Sequence, residues 1–195
     1  MKPIILASSS PRRRELMTLA GYSYRVQASC VKEIITKTVP SDIVQELSAQ
    51  KAAAVAALQT EDCLVIGSDT LVAFDGRVLG KPADLDDAVS TLTALSGNTH
   101  QVYSGVTILE VHNGSVVRSK TFCECTDVHV VPMTEQEIRD YATCGECMDK
   151  AGSYAIQGRF AVYISGIDGD YYNVMGLPIS HLHRELKAFD DTTSC

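Results

Sequence analysis

The stretch Ile4-Ile5-Leu6-Ala7-Ser8-Ser9-Ser10-Pro11-Arg12-Arg13-Arg14-Glu15 decides how the rest of the chain is read. The apolar run Ile4 to Ala7 predicts a buried strand. Pro11 suits the first position of a helix, because the N–H it lacks would go unpaired there anyway. Ser10 is then the N-cap, and Glu15, Leu16, Leu19 and Ala20 carry a helical pattern to Gly21. These residues predict a strand, a hydroxyl-rich turn and a helix N-terminus bearing three arginines. Such a terminus presents free N–H groups and partial positive charge, and arginine adds forked donors that match phosphate oxygens. The same residues would also make a capped surface helix with solvated arginines, so the rest of the chain has to decide.

At 195 residues the chain suits one domain, or two small lobes sharing a cleft. No apolar run approaches the roughly 20 residues of a membrane span. One lysine and a four-residue apolar run at the start do not make a secretory signal. Seven cysteines, an odd number, point to a reducing, cytoplasmic compartment. The net charge of −7 argues against a nucleic-acid binder, but the charge is unevenly spread. Residues 1–82 carry ten Lys+Arg against eight Asp+Glu, whereas residues 83–195 carry seven against sixteen. A local cationic site in the first half suits a small phosphorylated substrate better than a duplex, which needs a broad basic face.

Two carboxylates stand out. Tyr24 to Ala28 alternates like a strand, and Glu33 follows just past its end, where sheet proteins commonly place ligands. Taken alone, Glu33 reads as a solvated loop acid. Leu64-Val65-Ile66 predicts a buried strand ending in Gly67-Ser68-Asp69-Thr70, with a second apolar run from Leu71 to Phe74. An acid flanked by apolar runs on both sides must be paired or bind a metal, because burying a bare carboxylate is costly. Between them, Pro40-Ser41-Asp42 opens a helix whose apolar side holds Ile43, Val44, Leu47, Ala54, Val55 and Leu58. Lys51 lies in it among alanines, where surface charge is the ordinary reading.

Asp75-Gly76 predicts a hairpin turn, returning through Val78-Leu79 to Gly80-Lys81-Pro82. This is not a P-loop: the first glycine is one residue too close, and Pro82 replaces the hydroxyl residue. Asp84 caps a helix from Leu85 to Leu95. Long extended segments at Gln101–Val111 and Val116–Val131 flank a turn at His112-Asn113-Gly114. Thr134-Glu135-Gln136-Glu137 is a capping box for a helix to about Tyr141. Phe160 to Ile164 reads as a strand, Leu177-Pro178 starts a last helix to about Phe189, and 190–195 reads as a disordered polar tail. Cys123 with Cys125, and Cys144 with Cys147, have metal or redox spacing, but nothing brings the pairs together for zinc. His181 and His183 read as surface residues.

Arg12, Arg13, Lys51 and Lys81 are thus cations for a polyphosphate, and Glu33 and Asp69 are hard oxygen ligands for a magnesium-like ion. Six segments occur in a shared order: Ser8-Ser9-Ser10-Pro11-Arg12-Arg13, Gly67-Ser68-Asp69-Thr70, Gly80-Lys81-Pro82, Ser96-Gly97 with His100 to Gly105, Asp149-Lys150-Ala151-Gly152 through Ile156-Gln157-Gly158, and Val174-Met175-Gly176-Leu177-Pro178. In that order the chain resembles the Maf (septum-formation) family from residue 4 to about 188.

The resemblance implies a nucleoside triphosphate pyrophosphatase, releasing the monophosphate and pyrophosphate with a divalent cation, Mg²⁺ or Mn²⁺. It implies an α/β fold like that of the inosine-triphosphate pyrophosphatases: a long bent mixed sheet, flanking helices and a cleft between two lobes of one domain. By position, Asp69 is the proton acceptor and shares the metal with Glu33. Arg13, Lys51 and Lys81 match phosphate-handling positions, and Ser8 lies in the phosphate-binding turn. Arg12, Thr70 and Gln157 match the branch acting on dTTP and UTP; the branch acting on methylated GTP differs at all three. Cys30-Val31-Lys32-Glu33 departs from the family in lacking the acid that often precedes the glutamate. A homodimer and the absence of a fused second enzyme are further expectations. Competing readings are a house-cleaning pyrophosphatase for modified nucleotides and a nucleotide-binding regulator of division without turnover. Keeping Asp69 alongside Lys51 and Lys81 favours turnover, because a sensor needs the phosphate contacts but not the base.

Overall fold

The opening strand forms as the apolar run dictates: β1 (Ile4–Leu6) is buried along its whole length. The computed structural model describes residues 2–191. β1 pairs in parallel with β2 (Tyr24–Val26) on one side and with β3 (Cys63–Phe74) on the other, Leu6 facing both Val26 and Ile66. Parallel neighbours need crossover connections, and helices supply them. α1 (Pro11–Leu19) joins β1 to β2, and α2 (Pro40–Ala56) lies between β2 and β3. Ser10 caps α1 by accepting from Arg13 N at 3.5 Å, with Pro11 in the first turn.

Antiparallel pairs complete the sheet. β3 turns into β4 (Arg77–Leu79) through Asp75-Gly76, both at positive φ (49° and 72°), so Phe74 faces Arg77. β5 (Thr99–His112) and β6 (Ser115–Val130) flank Asn113-Gly114, again both at positive φ. Two left-handed residues match the twist of the flanking strands, which is why Asp-Gly and Asn-Gly mark these turns. β7 (Ile164–Asp168) pairs with β6, with an irregularity between His129 and Val130. The strand order is β2-β1-β3-β5-β6-β7, with β4 beside β3, so the sheet is mixed as expected.

Four further helices flank it. α3 (Leu85–Leu95) is capped by Asp84, and α4 (Glu135–Ala142) carries the full capping box between Thr134 and Glu137. α5 (Tyr171–Met175) is short, and α6 (Ile179–Asp191) is last. The chain divides into two compact units. One gathers the chain up to Asp69, Ser104–Glu124 and the chain from Gly176; the other holds Thr70–Tyr103 and Cys125–Met175. Each has its own apolar core, around Ile5, Ala52, Val55 and Val65 in the first and around Leu92, Val128, Tyr154 and Phe160 in the second.

Several expectations are corrected. β3 does not end at Gly67 but runs unbroken for 12 residues, so Asp69 and Thr70 lie within a strand. Residues 160–163 of the strand expected at Phe160–Ile164 belong instead to a 3₁₀ helix, Arg159–Tyr163, and β7 begins only at Ile164. An apolar run of this length fits either conformation, and the 3₁₀ turn still buries Phe160 completely while Val162 stays exposed. Leu58 falls beyond the end of α2 and is exposed. His181 is not a plain surface residue: it stacks on Phe122 at 3.9 Å and meets Glu124 at 2.5 Å. Residues 190 and 191, expected in the tail, continue α6; the rest of that tail, 192–195, lies outside the described residues.

Candidate active site

Two glycines let α2 lie directly on the sheet. A Cβ at Gly67 would overlap the Ser48 carbonyl and sit 2.7 Å from the Ala52 amide nitrogen. A Cβ at Gly105 would overlap the Val44 carbonyl and sit 2.7 Å from the Gln45 amide nitrogen. The backbones of β3 and β5 therefore touch the backbone of α2, one helical turn apart. Ser48 is buried in this contact and bonds Thr107 on β5 at 2.9 Å. Side chains alternate along a strand, so Asp69, two residues beyond Gly67, shares the face that meets α2. Lys51, three residues beyond Ser48, lies on the matching side of the helix. Their meeting follows from this packing: Lys51 Nζ is ion-paired with Asp69 and with Glu33, the latter at 2.9 Å.

The exposure of the three groups differs. The Asp69 and Lys51 side chains retain only 14% and 17% of their surface, against 46% for Glu33. An ion pair so sheltered from water is screened weakly, and breaking it from one side leaves a charge without its partner. Asp69 is therefore paired rather than bare, as its apolar flanks required.

The opening stretch supplies the second half of the site. Ser8 is buried, and its hydroxyl accepts from Ser10 N at 3.2 Å and from Arg13 Nη1 at 3.3 Å. Arg13 Nε donates to the Gly176 carbonyl at 2.9 Å, and the buried Ser68 hydroxyl donates to the same oxygen at 3.1 Å. Gly176 stands at φ 111°, a conformation that favours glycine. Burial holds the Arg13 guanidinium below its ordinary pKa, while Asp69 and Glu33 draw it back up. Arg13, Lys51, Glu33 and Asp69 thus form one electrostatic group.

Arg12 lies close enough to this group for its charge to lower the Arg13 pKa further. Arg12 is half-buried on α1 and makes no side-chain hydrogen bond or ion pair among the described residues. Thr70 follows Asp69 on β3 and faces the opposite side of the strand. Lys81 and Gln157 belong to the second unit, and both are exposed. Their segments are anchored there: Gly152 N donates to the Gly80 carbonyl at 3.1 Å, and Glu146 accepts from Arg159 N at 2.9 Å beside the Gln157-Gly158 turn. Sequence reasoning missed Gly67 as a spacer, Ser68, and the Gly176 carbonyl. A glycine within an apolar strand was the one available signal for a close backbone approach.

Among the described residues, no group of three or more His, Cys, Asp or Glu side chains is arranged to hold a metal ion. Asp69 and Glu33 converge on one ammonium, so their carboxylates already stabilise a cation between them. Two carboxylates fit Mg²⁺ or Mn²⁺, which typically completes its shell with water and substrate phosphates.

The Maf-like protein family model matches residues 3–189. A protein of Lachnoclostridium phytofermentans named dTTP/UTP pyrophosphatase is 46% identical over 189 residues, covering 97% of this chain and 96% of that protein. A protein of the same name from Bacillus cereus (strain G9842) is 49% identical over 191 residues, covering 97% of each. Among solved structures, a nucleoside-triphosphatase / dITP/XTP pyrophosphatase from Mycobacterium abscessus aligns at a TM-score of 0.45 and 12% identity, covering 96% of this chain and 97% of that one.

Proposed function

The chain belongs to the Maf-like protein family, and from that premise we propose that it is a nucleoside triphosphate pyrophosphatase whose best common substrates are dTTP and UTP. The observation that carries this reading is the convergence of Asp69, Glu33, Lys51 and Arg13 in one group. Hydrolysis between the α- and β-phosphates needs two things: cations to offset charge on the phosphate oxygens, and an acceptor for the proton of the attacking water. The group contains both.

Lys51 and Arg13, joined by Lys81, bind the polyphosphate as its counter-charges. Ser8 and the Gly176 carbonyl fix the orientation of the Arg13 fork before substrate arrives. Phosphate oxygens give Lys51 new anionic partners, which loosens its hold on Asp69. Asp69 then takes the water proton on a carboxylate oxygen. Asp69 and Glu33 would hold a divalent cation, which when bound would supply Lewis-acid polarisation of the phosphate. Gln157 reads the base through an amide that can pair with the N3–H and one carbonyl of uracil or thymine, and Arg12 and Thr70 are the remaining specificity positions. A cytoplasmic location accords with the six described cysteines, all free thiols.

The specificity test is kcat/KM for UTP, dTTP, CTP, GTP, ATP and 7-methyl-GTP, with products identified. UTP and dTTP should rank first and CTP below them, because a mispaired buried polar group costs about 1–3 kcal/mol. A win for 7-methyl-GTP would remove the pyrimidine assignment and leave pyrophosphate release standing.

A further inference from the structure

Glu33 belongs to residues 27–39, a segment with neither helix nor strand, and nothing in its own backbone fixes a carboxylate 2.9 Å from Lys51. What ties the segment down is the outer side of α2. Ile34 N donates to Gln50 Oε1 at 3.0 Å, and Gln50 Nε2 donates to the Ile34 carbonyl at 2.6 Å. One side-chain amide thus engages both backbone polar groups of the residue next to Glu33. One turn earlier, Glu46 accepts from Thr36 N at 2.9 Å and from the Thr36 hydroxyl at 2.5 Å. Gln50 directly precedes Lys51, so the residue that pins the Glu33 segment and the cation that Glu33 meets share one helical turn.

We propose that Gln50 is a positioning residue that holds Glu33 at the cation site. This rests on the reading of Glu33 as one of the two acids for the divalent cation. Ile34 remains 60% exposed, so the tether seals no core, and its loss should be felt at the site rather than in the fold. Residues that orient a metal ligand commonly matter about 10–100-fold in metal affinity without touching the metal.

The test is a double-mutant cycle on Mn²⁺ affinity, read from the EPR signal of free Mn²⁺ with a UTP analogue bridged by nitrogen between its α- and β-phosphates. Gln50→Met keeps the chain length and removes both bonds; Gln50→Ala is the second variant should Gln50→Met fail to fold. The expected result is Mn²⁺ binding about tenfold weaker, an unchanged melting temperature, and faster tryptic cleavage after Lys32. In the double variant, Gln50→Met should add nothing to the loss caused by Glu33→Gln. Unchanged Mn²⁺ affinity in Gln50→Met, or losses that simply add, would overturn the positioning role and leave Glu33 in place. If Glu33→Gln itself leaves Mn²⁺ binding unchanged, the metal role of Glu33 and the role of Gln50 fall together.

Discussion

In the proposed reaction Asp69 can accept a proton only when Lys51 stops claiming its charge, which makes the resting ion pair a competitor that substrate has to displace. That makes the two residues unequal under substitution. Asp69→Asn keeps the shape but supplies neither an anionic oxygen for the cation nor a proton acceptor. Turnover should fall about 10²-fold or more, the scale of losing a general base, while circular dichroism stays native. Near-normal turnover in the folded variant would remove Asp69 from this role. Lys81→Ala should slow every nucleoside triphosphate alike, because phosphate contacts carry little information about the base. Gln157→Glu should instead reorder the substrates, and a kcat/KM panel on both variants separates the two kinds of residue. At this scale the sequence was most legible where chemistry and hydropathy disagree. A carboxylate between apolar runs announces itself; a lysine on a helix does not, and Lys51 acquires meaning only from the strand opposite. The Gly176 carbonyl was beyond reach, since a backbone oxygen is present at every residue.

Helix α2 is the element that assembles the site, and it does so by resting on glycines. Gly67→Ala would push a methyl into the Ser48 carbonyl, forcing α2 away from β3 and carrying Lys51 off Asp69. The expected cost is about 1–3 kcal/mol of stability, the usual scale of overpacking, with a loss of turnover larger than the loss of folded protein explains. Gly76→Ala makes a useful comparison, since a Cβ there meets nothing within 4 Å and only its φ of 72° is disfavoured. It should lose stability without a specific loss of activity; equal kinetic losses in both would contradict the spacer argument. Elements with local punctuation were legible: Ser10-Pro11, Asp84, Thr134 with Glu137, and Asn113-Gly114 all mark the boundaries they were read to mark. Elements set by tertiary packing were not. Gly67-Ser68 looked like a strand end because glycine weakens strands, yet the approach of α2 needs glycine in mid-strand.

At the scale of the whole molecule, pH should act on stability through His100 before it acts on the surface. His100 is buried, its Nε2 lies 2.7 Å from the Tyr154 hydroxyl, and burial lowers its pKa from 6.5 to about 4. Between those values the unfolded chain binds a proton that the folded chain refuses. Stability is therefore full above pH 6.5 and is lost as pH falls towards 4, by an amount on the order of 3 kcal/mol. His100→Gln should flatten that part of a urea-unfolding series; an unchanged slope would mean that other groups carry it. Such a buried histidine was not foreseen as a titrating group, because nothing local marks which of five histidines the core will enclose. No helix among the described residues is long and apolar enough to cross a membrane. Function was legible at this scale because six short motifs recur in one order, where each alone would have been weak. The reaction is identified by the bond that breaks, and ³¹P NMR of UTP with Mg²⁺ and the enzyme reads it directly. Equal amounts of UMP and pyrophosphate are predicted; UDP with inorganic phosphate, or UTP left intact beside folded protein, would contradict the account.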